Sequence, residues 1–301
     1  MAKAKESNGR CVRDVMARPF FSLSKRPRTT ALTWSSADGK ERLEVIGTTK
    51  YGVASIYDCD YLIWACEKVR RRYEDEGIAD PTIYFRPNQL FREIGKRNAG
   101  KAQYDRARRA LKRLHSTTVE TNIRVEDQVI TKDEQGFHWI DHWRTHEIEG
   151  DEEATGMWSM TLSSWLFNAV INGKMILSVE REYYTLTSGL EKQLYLLARR
   201  TVGWRKRASK FRMETLYALS GSDAEYKFFA NSVRGLERKH KPLVGYATEI
   251  HRDDDGEVVH FVPRDRLPVS HPLYVAASNA LIIRRATLAH DDSGGDYWDE
   301  R

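Results

Sequence analysis

Two stretches of this chain set cationic and amide side chains opposite an apolar helical stripe, an arrangement suited to hydrogen bonding with phosphates and base edges. In residues 101–115, Arg106, Arg109 and Arg113 fall opposite Tyr104, Ala107, Leu111 and Leu114, with Lys101 and Lys112 on the flank. A guanidinium offers a planar fork of donors that matches a guanine edge or a phosphate; an ammonium offers a mobile point charge. In residues 223–239, Lys227, Asn231, Arg234 and Arg238 oppose Tyr226, Phe229, Val233 and Leu236, and Lys239 follows. The Asn231 amide can pair with an adenine edge through two hydrogen bonds while the cations around it hold phosphates. A face that served only solubility would mix both signs of charge, yet Asp105 is the sole acid of the first stretch. The expected partner is double-stranded DNA, with backbone affinity weighted to the first stretch and sequence preference to the second.

Other chemistries fit less well. Gly95-Lys-Arg-Asn-Ala-Gly100-Lys101 approximates a phosphate-binding loop, but Ala102 stands where a hydroxyl would hold magnesium, and the segment follows a helical pattern rather than a strand. His138, His142 and His146 are evenly spaced in a stretch that reads as strand, where four residues cover about 13 Å, too far for one ion. A nicking enzyme of the rolling-circle kind would need a His-x-His pair near a tyrosine, and the sequence has no His-x-His. No Ser/His/Asp or Cys/His arrangement has meaningful spacing. The chain is expected to be no enzyme and to need no cofactor or metal.

The elements that would position these faces occur twice. Phe85-Arg86-x-x-x-Leu90 and Gly95 recur as Phe211-Arg212-x-x-x-Leu216 and Gly221 at one constant offset, and Tyr104, Lys112 and Leu114 recur as Tyr226, Arg234 and Leu236 at an offset four residues shorter. A short strand, a short helix, a turn and a longer basic helix, made twice, describe two helix-turn-helix units. The predicted class is α+β, with two tandem winged-helix domains, each a helix-turn-helix plus a β-hairpin wing.

Residues 1–40 read as a flexible basic arm, with Phe20, Phe21 and Leu23 as a docking anchor. Residues 41–150 form the N-terminal winged helix, whose hairpin comes from 117–125 and 136–148. The charged stretch 149–156 is the expected boundary. Residues 157–265 form the C-terminal winged helix, with strands at 243–250 and 258–262. The Asp253-Asp254-Asp255 tip would be repelled by phosphate, which sets this wing beside the groove, with Arg252 and Arg264 as phosphate contacts. Residues 287–301 read as an acidic, disordered tail.

Composition agrees. The 301 residues carry a net charge of +6, which favours an anionic partner. Cys11, Cys59 and Cys66 lack zinc-ligand spacing and read as buried thiols in a reducing compartment. No apolar run is long enough to span a membrane and no export signal opens the sequence, so the expected location is the cytoplasm.

Several segments resemble the plasmid replication initiator protein A family of bacteria. They are Met16-Ala-Arg-Pro-Phe-Phe-Ser-Leu-Ser-Lys25, Tyr57-Asp-x-Asp-x-Leu-Ile-Trp64, Tyr104-Asp-Arg with Leu111-x-Arg-Leu-x-Ser-Thr-Thr118, and Leu186-Thr-x-Gly-Leu-Glu-x-x-Leu-Tyr195. The resemblance implies a tandem winged-helix initiator that binds repeated origin sites (iterons), opens the adjacent duplex and recruits a host initiator and helicase. It also implies monomers on iterons and a capacity to dimerise through the N-terminal winged helix, with dimers repressing their own promoter. Two other readings stay open from the residues alone. A winged-helix repressor without origin function would bind one inverted repeat, and a nicking initiator would leave a covalent adduct.

Overall fold

Arginine and aspartate stand near the start of the described chain, and both are buried. The computed structural model of the protein describes residues 9–96, 99–123, 134–146, 156–202 and 208–276. Its first elements are β1 (Gly9–Val12) and α1 (Arg13–Ala17). Arg10 donates to Glu67 at 2.9 Å and to Glu74 at 3.1 Å, while Arg18 reaches Asp14 at 2.6 Å and Glu41 at 2.5 Å. Phe20 and Phe21 are buried on Trp139, the Phe21 ring stacked at 4.7 Å. The expected flexible arm over residues 1–40 is therefore corrected: from residue 9 it is a packed segment. Its charges find acids as far as 64 positions away, which local composition does not reveal.

Next come β2 (Leu32–Ser35) and β3 (Arg42–Ile46). Residues 52–55 lead into α2 (Ile56–Glu76), whose start is fixed by the Ser55 amide donating to Asp58 Oδ2 at 2.8 Å. A first unit follows: β4 (Thr82–Phe85), α3 (Pro87–Glu93) with proline in its first turn, and α4 (Lys101–Ser116). After it run β5 (Thr118–Thr121), β6 (Gln135–His138), β7 (Ile140–Arg144) and β8 (Trp158–Leu162). The chain then forms α5 (Ser164–Asn172), β9 (Ile176–Val179) and α6 (Gly189–Val202). A second unit holds β10 (Ser209–Arg212), α7 (Met213–Ser220), α8 (Tyr226–Arg238), β11 (Tyr246–Asp253) and β12 (Gly256–Pro263).

The sheets show how the units correspond. One three-stranded sheet runs β4-β8-β7 and another β10-β12-β11, so in each the last strand of the unit sits between its first and second. This corrects the hairpin expected from 117–125 and 136–148. β5 and β6 do pair, but in a four-stranded sheet ordered β2-β3-β5-β6, and the chain leaves that sheet at Trp139 to enter β7. β8, expected to open the second domain, pairs with β4 in the register Phe85↔Trp158 and with β7 in the register Ile140↔Leu162. The acidic stretch read as a boundary thus joins two strands of one hairpin; residues 149–155 themselves, like the tail at 287–301, lie outside the described residues.

The two units share one apolar core. β1 pairs antiparallel with β9, Gly9 opposite Val179, so the N-terminal segment is a strand partner for the chain between the units. Two glycines let that segment lie close. A Cβ on Gly189 would stand 2.1 Å from the Leu23 carbonyl oxygen, and one on Gly221, at φ +67°, would stand 2.6 Å from Pro19. Arg28 donates to the Gly221 carbonyl at 3.4 Å. The segment from residue 9 to residue 28 therefore straps the turn of the second unit to the base of the first.

Candidate nucleic-acid interface

The buried stripe of α4 decides which of its cations face outward. Tyr104, Ala107, Ala110, Leu111 and Leu114 are buried, and the Tyr104 ring meets Phe91 edge-on at 5.1 Å and Trp158 at 6.2 Å. Lys101, Arg106 and Arg109 consequently stand exposed. Among the described residues none of the three forms an ion pair, while Asp105 is taken up by Arg108 at 3.1 Å. Lys112 is half-buried, with its Nζ 6.0 Å from the centre of the Tyr51 ring.

Arg113 departs from the expected face. Its guanidinium donates to both oxygens of Asp58, at 2.7 and 2.6 Å, and Asp58 is buried. Burial opposes the charge of Arg113, but the bonds to Asp58 outweigh it and leave the guanidinium more basic than usual. Its expected place on the open outward face is thereby corrected: Arg113 anchors α4 on the first turn of α2. Helical spacing could not show this, because Asp58 lies 55 positions upstream.

In α8 the core positions are Phe229, Ala230, Val233 and Leu236. Tyr226, expected in the core, is 36 % exposed, and its hydroxyl donates to Glu214 at 2.7 Å. It opens the helix one turn too early to reach the interior. Lys227, Asn231, Arg238 and Lys239 are exposed as expected. Lys227 pairs with Glu225 at 3.0 Å, and Arg238 donates to Asn231 Oδ1 at 3.2 Å, which leaves the Asn231 NH2 group free to donate.

The hairpin of the second unit pairs its acids with arginines. Arg234 donates to Glu257 at 2.7 and 3.0 Å, and Arg252 donates to the same carboxylate at 3.1 Å. Arg212 bonds Asp253 and reaches Asp255 at 3.2 Å. The hydrogen bond from Arg234 holds the Glu257 carboxyl below the usual carboxylate range, and that from Arg212 does the same for Asp253. The acidic tip is thus part of an arginine–carboxylate array rather than a bare repulsive surface. Arg234 and Arg252 belong to that array; Arg234 gives Nε and Nη2 to Glu257, whereas the exposed Arg252 gives Nη2 alone. Arg264 donates to the carbonyls of Leu273, at 2.8 Å, and Val244, and is corrected from a phosphate contact to a backbone tie.

Between the units, Lys192 of α6 donates to Asp60 of α2 at 2.8 Å, with both side chains buried and the Tyr183 ring centre 4.0 Å from the ammonium. Burial raises the Asp60 carboxyl and Lys192 works against that rise. Burial likewise lowers Lys96, in the turn before α4, whose ammonium lies 5.4 Å from the Tyr61 ring centre. Asp58 and Asp60, one helical turn of α2, therefore fix α4 on one side and α6 on the other.

A family model described as Replication initiator protein A matches residues 11–247, from β1 into β11. The chain belongs to the replication initiator protein A family. A protein of Wigglesworthia glossinidia brevipalpis assigned to replication is 30 % identical over 196 residues, covering 65 % of this chain and 70 % of that one. Among solved structures, a crystal structure of domains 2 and 3 of RctB superposes with a TM-score of 0.56 at 14 % identity, over 83 % of this chain and 96 % of that one. A second structure of RctB domains 2–3 gives 0.51 at 14 % identity, over 81 % and 94 %. These likenesses place this initiator in a mixed α/β fold shared with RctB domains 2–3. Among its described residues no helix is long and apolar enough to cross a membrane.

Within the initiator the candidate surface is therefore smaller and more sharply divided than the sequence implied. α4 contributes Lys101, Arg106 and Arg109; α8 contributes Lys227, Asn231 and Arg238, with Lys239 just past its end. Sequence reasoning missed Phe228, which is 57 % exposed on α8. The signal was present, since the spacing 229, 233, 236 leaves position 228 beside 231 and 235, on the outward side.

Proposed function

We propose that this chain is a plasmid replication initiator that binds repeated double-stranded origin sites through two winged helices and acts without catalysis. In this reading β4-α3-α4-β7-β8 and β10-α7-α8-β11-β12 are the two winged helices, and α4 and α8 are their recognition helices. They enter successive major grooves with half-sites about one helical turn apart. The observation that carries the reading is the twofold repetition of that unit, each copy presenting an outward helix face of cations on a shared core. Binding strains the adjacent duplex, which opens for a host initiator and helicase. Affinity falls steeply with salt, because each neutralised phosphate releases counterions.

Footprinting on the DNA that flanks the gene of this protein, with nicking of the supercoiled plasmid scored in parallel, tests the reading. Regularly phased protection of direct repeats without nicking is the expected result. One palindromic footprint would mark a homodimeric repressor instead, and a site-specific nick with protein attached would mark an enzyme.

A further inference from the structure

The outward face of α8 carries two residues that charge does not explain. Phe228 is 57 % exposed, and the Nζ of Lys227 lies 4.9 Å from its ring centre. Its neighbour Phe229 is buried, so the helix already has its core aromatic and Phe228 adds nothing to the interior. Residues three and four apart share a helix face, which sets Phe228, Asn231, Gly235 and Arg238 on one stripe. Among the described residues an added Cβ at Gly235 would meet nothing within 4 Å. Glycine inside a helix is less stable than alanine, and no described neighbour requires it here.

A phenyl ring left in water and a helical glycine left in open space share one explanation. Something approaches this face closely enough to need the missing Cβ, and it offers an apolar spot to the ring. On a duplex the major groove has such a spot, the 5-methyl group of thymine, and phenylalanine is among the side chains that read it. We propose that Phe228 is a specificity-determining residue that packs on a thymine 5-methyl group, and that Gly235 gives α8 the clearance to reach that depth. This inference rests on the DNA-reading role proposed above. Side chains three apart on a helix stand about 5–6 Å from each other, and base pairs are stacked about 3.4 Å apart. The thymine therefore lies within about two base pairs of the adenine that Asn231 reads.

The test starts with duplexes selected by the intact chain from a randomised pool. Each thymine of the selected sequence is then replaced in turn by deoxyuridine, which removes only the methyl group. At one position the replacement should weaken wild-type binding on the order of four-fold, the worth of one buried methyl-sized group. Phe228→Ala should bind the thymine and uracil duplexes equally, and Phe228→Leu should keep part of the discrimination. Gly235→Ala should raise the unfolding temperature yet bind the selected duplex more weakly, a combination that a purely structural glycine would not give. Wild type indifferent to every replacement, or undiminished discrimination by Phe228→Ala, would overturn the assignment of Phe228. Unchanged affinity of Gly235→Ala would overturn the clearance. A wild type that enriches no sequence at all would sink the DNA-reading role itself, an outcome distinct from a selected site that ignores the methyl group.

Discussion

Arg106 and Arg109 stand open to solvent, whereas Arg113 and Arg234 hold Asp58 and Glu257, and residue type alone does not separate the two pairs. Their substitutions should part accordingly. Lys101→Ala and Arg109→Ala should weaken selected and scrambled duplexes alike, each lowering the slope of log affinity against log salt by about 1. Asn231→Ala should forfeit about 1–3 kcal/mol of discrimination between those duplexes, read by competition binding. Arg113→Ala should instead show in urea unfolding, at about 3 kcal/mol, because it leaves the Asp58 carboxylate buried and unpaired. Glu257→Gln should release Arg234 and Arg252 and remove an acid from the side proposed to face DNA, so affinity for every duplex rises and the salt slope steepens by about 1. The sign with pH is the same: Glu257 is held below the ordinary carboxylate range by Arg234 and then Arg252, so the array stays closed at neutral pH and opens only as acid drives the pH below that range.

At the scale of elements, periodicity within one helix was legible and pairing between strands was not. The stripe 104, 107, 111, 114 predicted the buried side of α4, and the glycines at 95 and 221 predicted the turns, because both signals are local. The sheet order β4-β8-β7 was invisible because 158–162 alternates equally well as the start of a second domain or as the end of a first. The same limit governed the candidate site: exposure along a helix could be read, but Glu257 and Asp58 approach from other elements. Residues 9–28 do not read as packed from sequence for a related reason, since Phe20 and Phe21 meet Trp139, and Arg10 and Arg18 meet Glu67, Glu74 and Glu41, all in other elements or loops. Phe21→Ala should lower unfolding free energy by about 3 kcal/mol, where a free arm would give no change; denaturant melts decide between these.

Across the whole molecule, the contact of Lys192 with Asp60 ties α6, which leads into the second unit, to α2, on which α4 is anchored. Lys192→Met alone should cost about 3–5 kcal/mol, because a buried carboxylate loses its partner. Burial already holds the Asp60 carboxyl above its ordinary value, and removing Lys192 raises it further. A raised carboxyl favours the folded state at low pH and loses that advantage as pH rises, so Lys192→Met should be more stable at mildly acidic than at neutral pH in parallel melts. Combining Asp60→Leu with Lys192→Met should restore most of the stability but widen the range of half-site spacings bound, measured on duplexes with stepped spacers. The strap formed by residues 9–28 has a consequence for synthesis. β1 cannot find β9 until Val179 has left the ribosome, and Arg28 must wait longer still for Gly221. At about 5–20 residues per second this interval lasts roughly 8–35 s. For that time the segment that carries Phe20 and Phe21 lacks its strand partner, so it settles only after elements made well downstream of it.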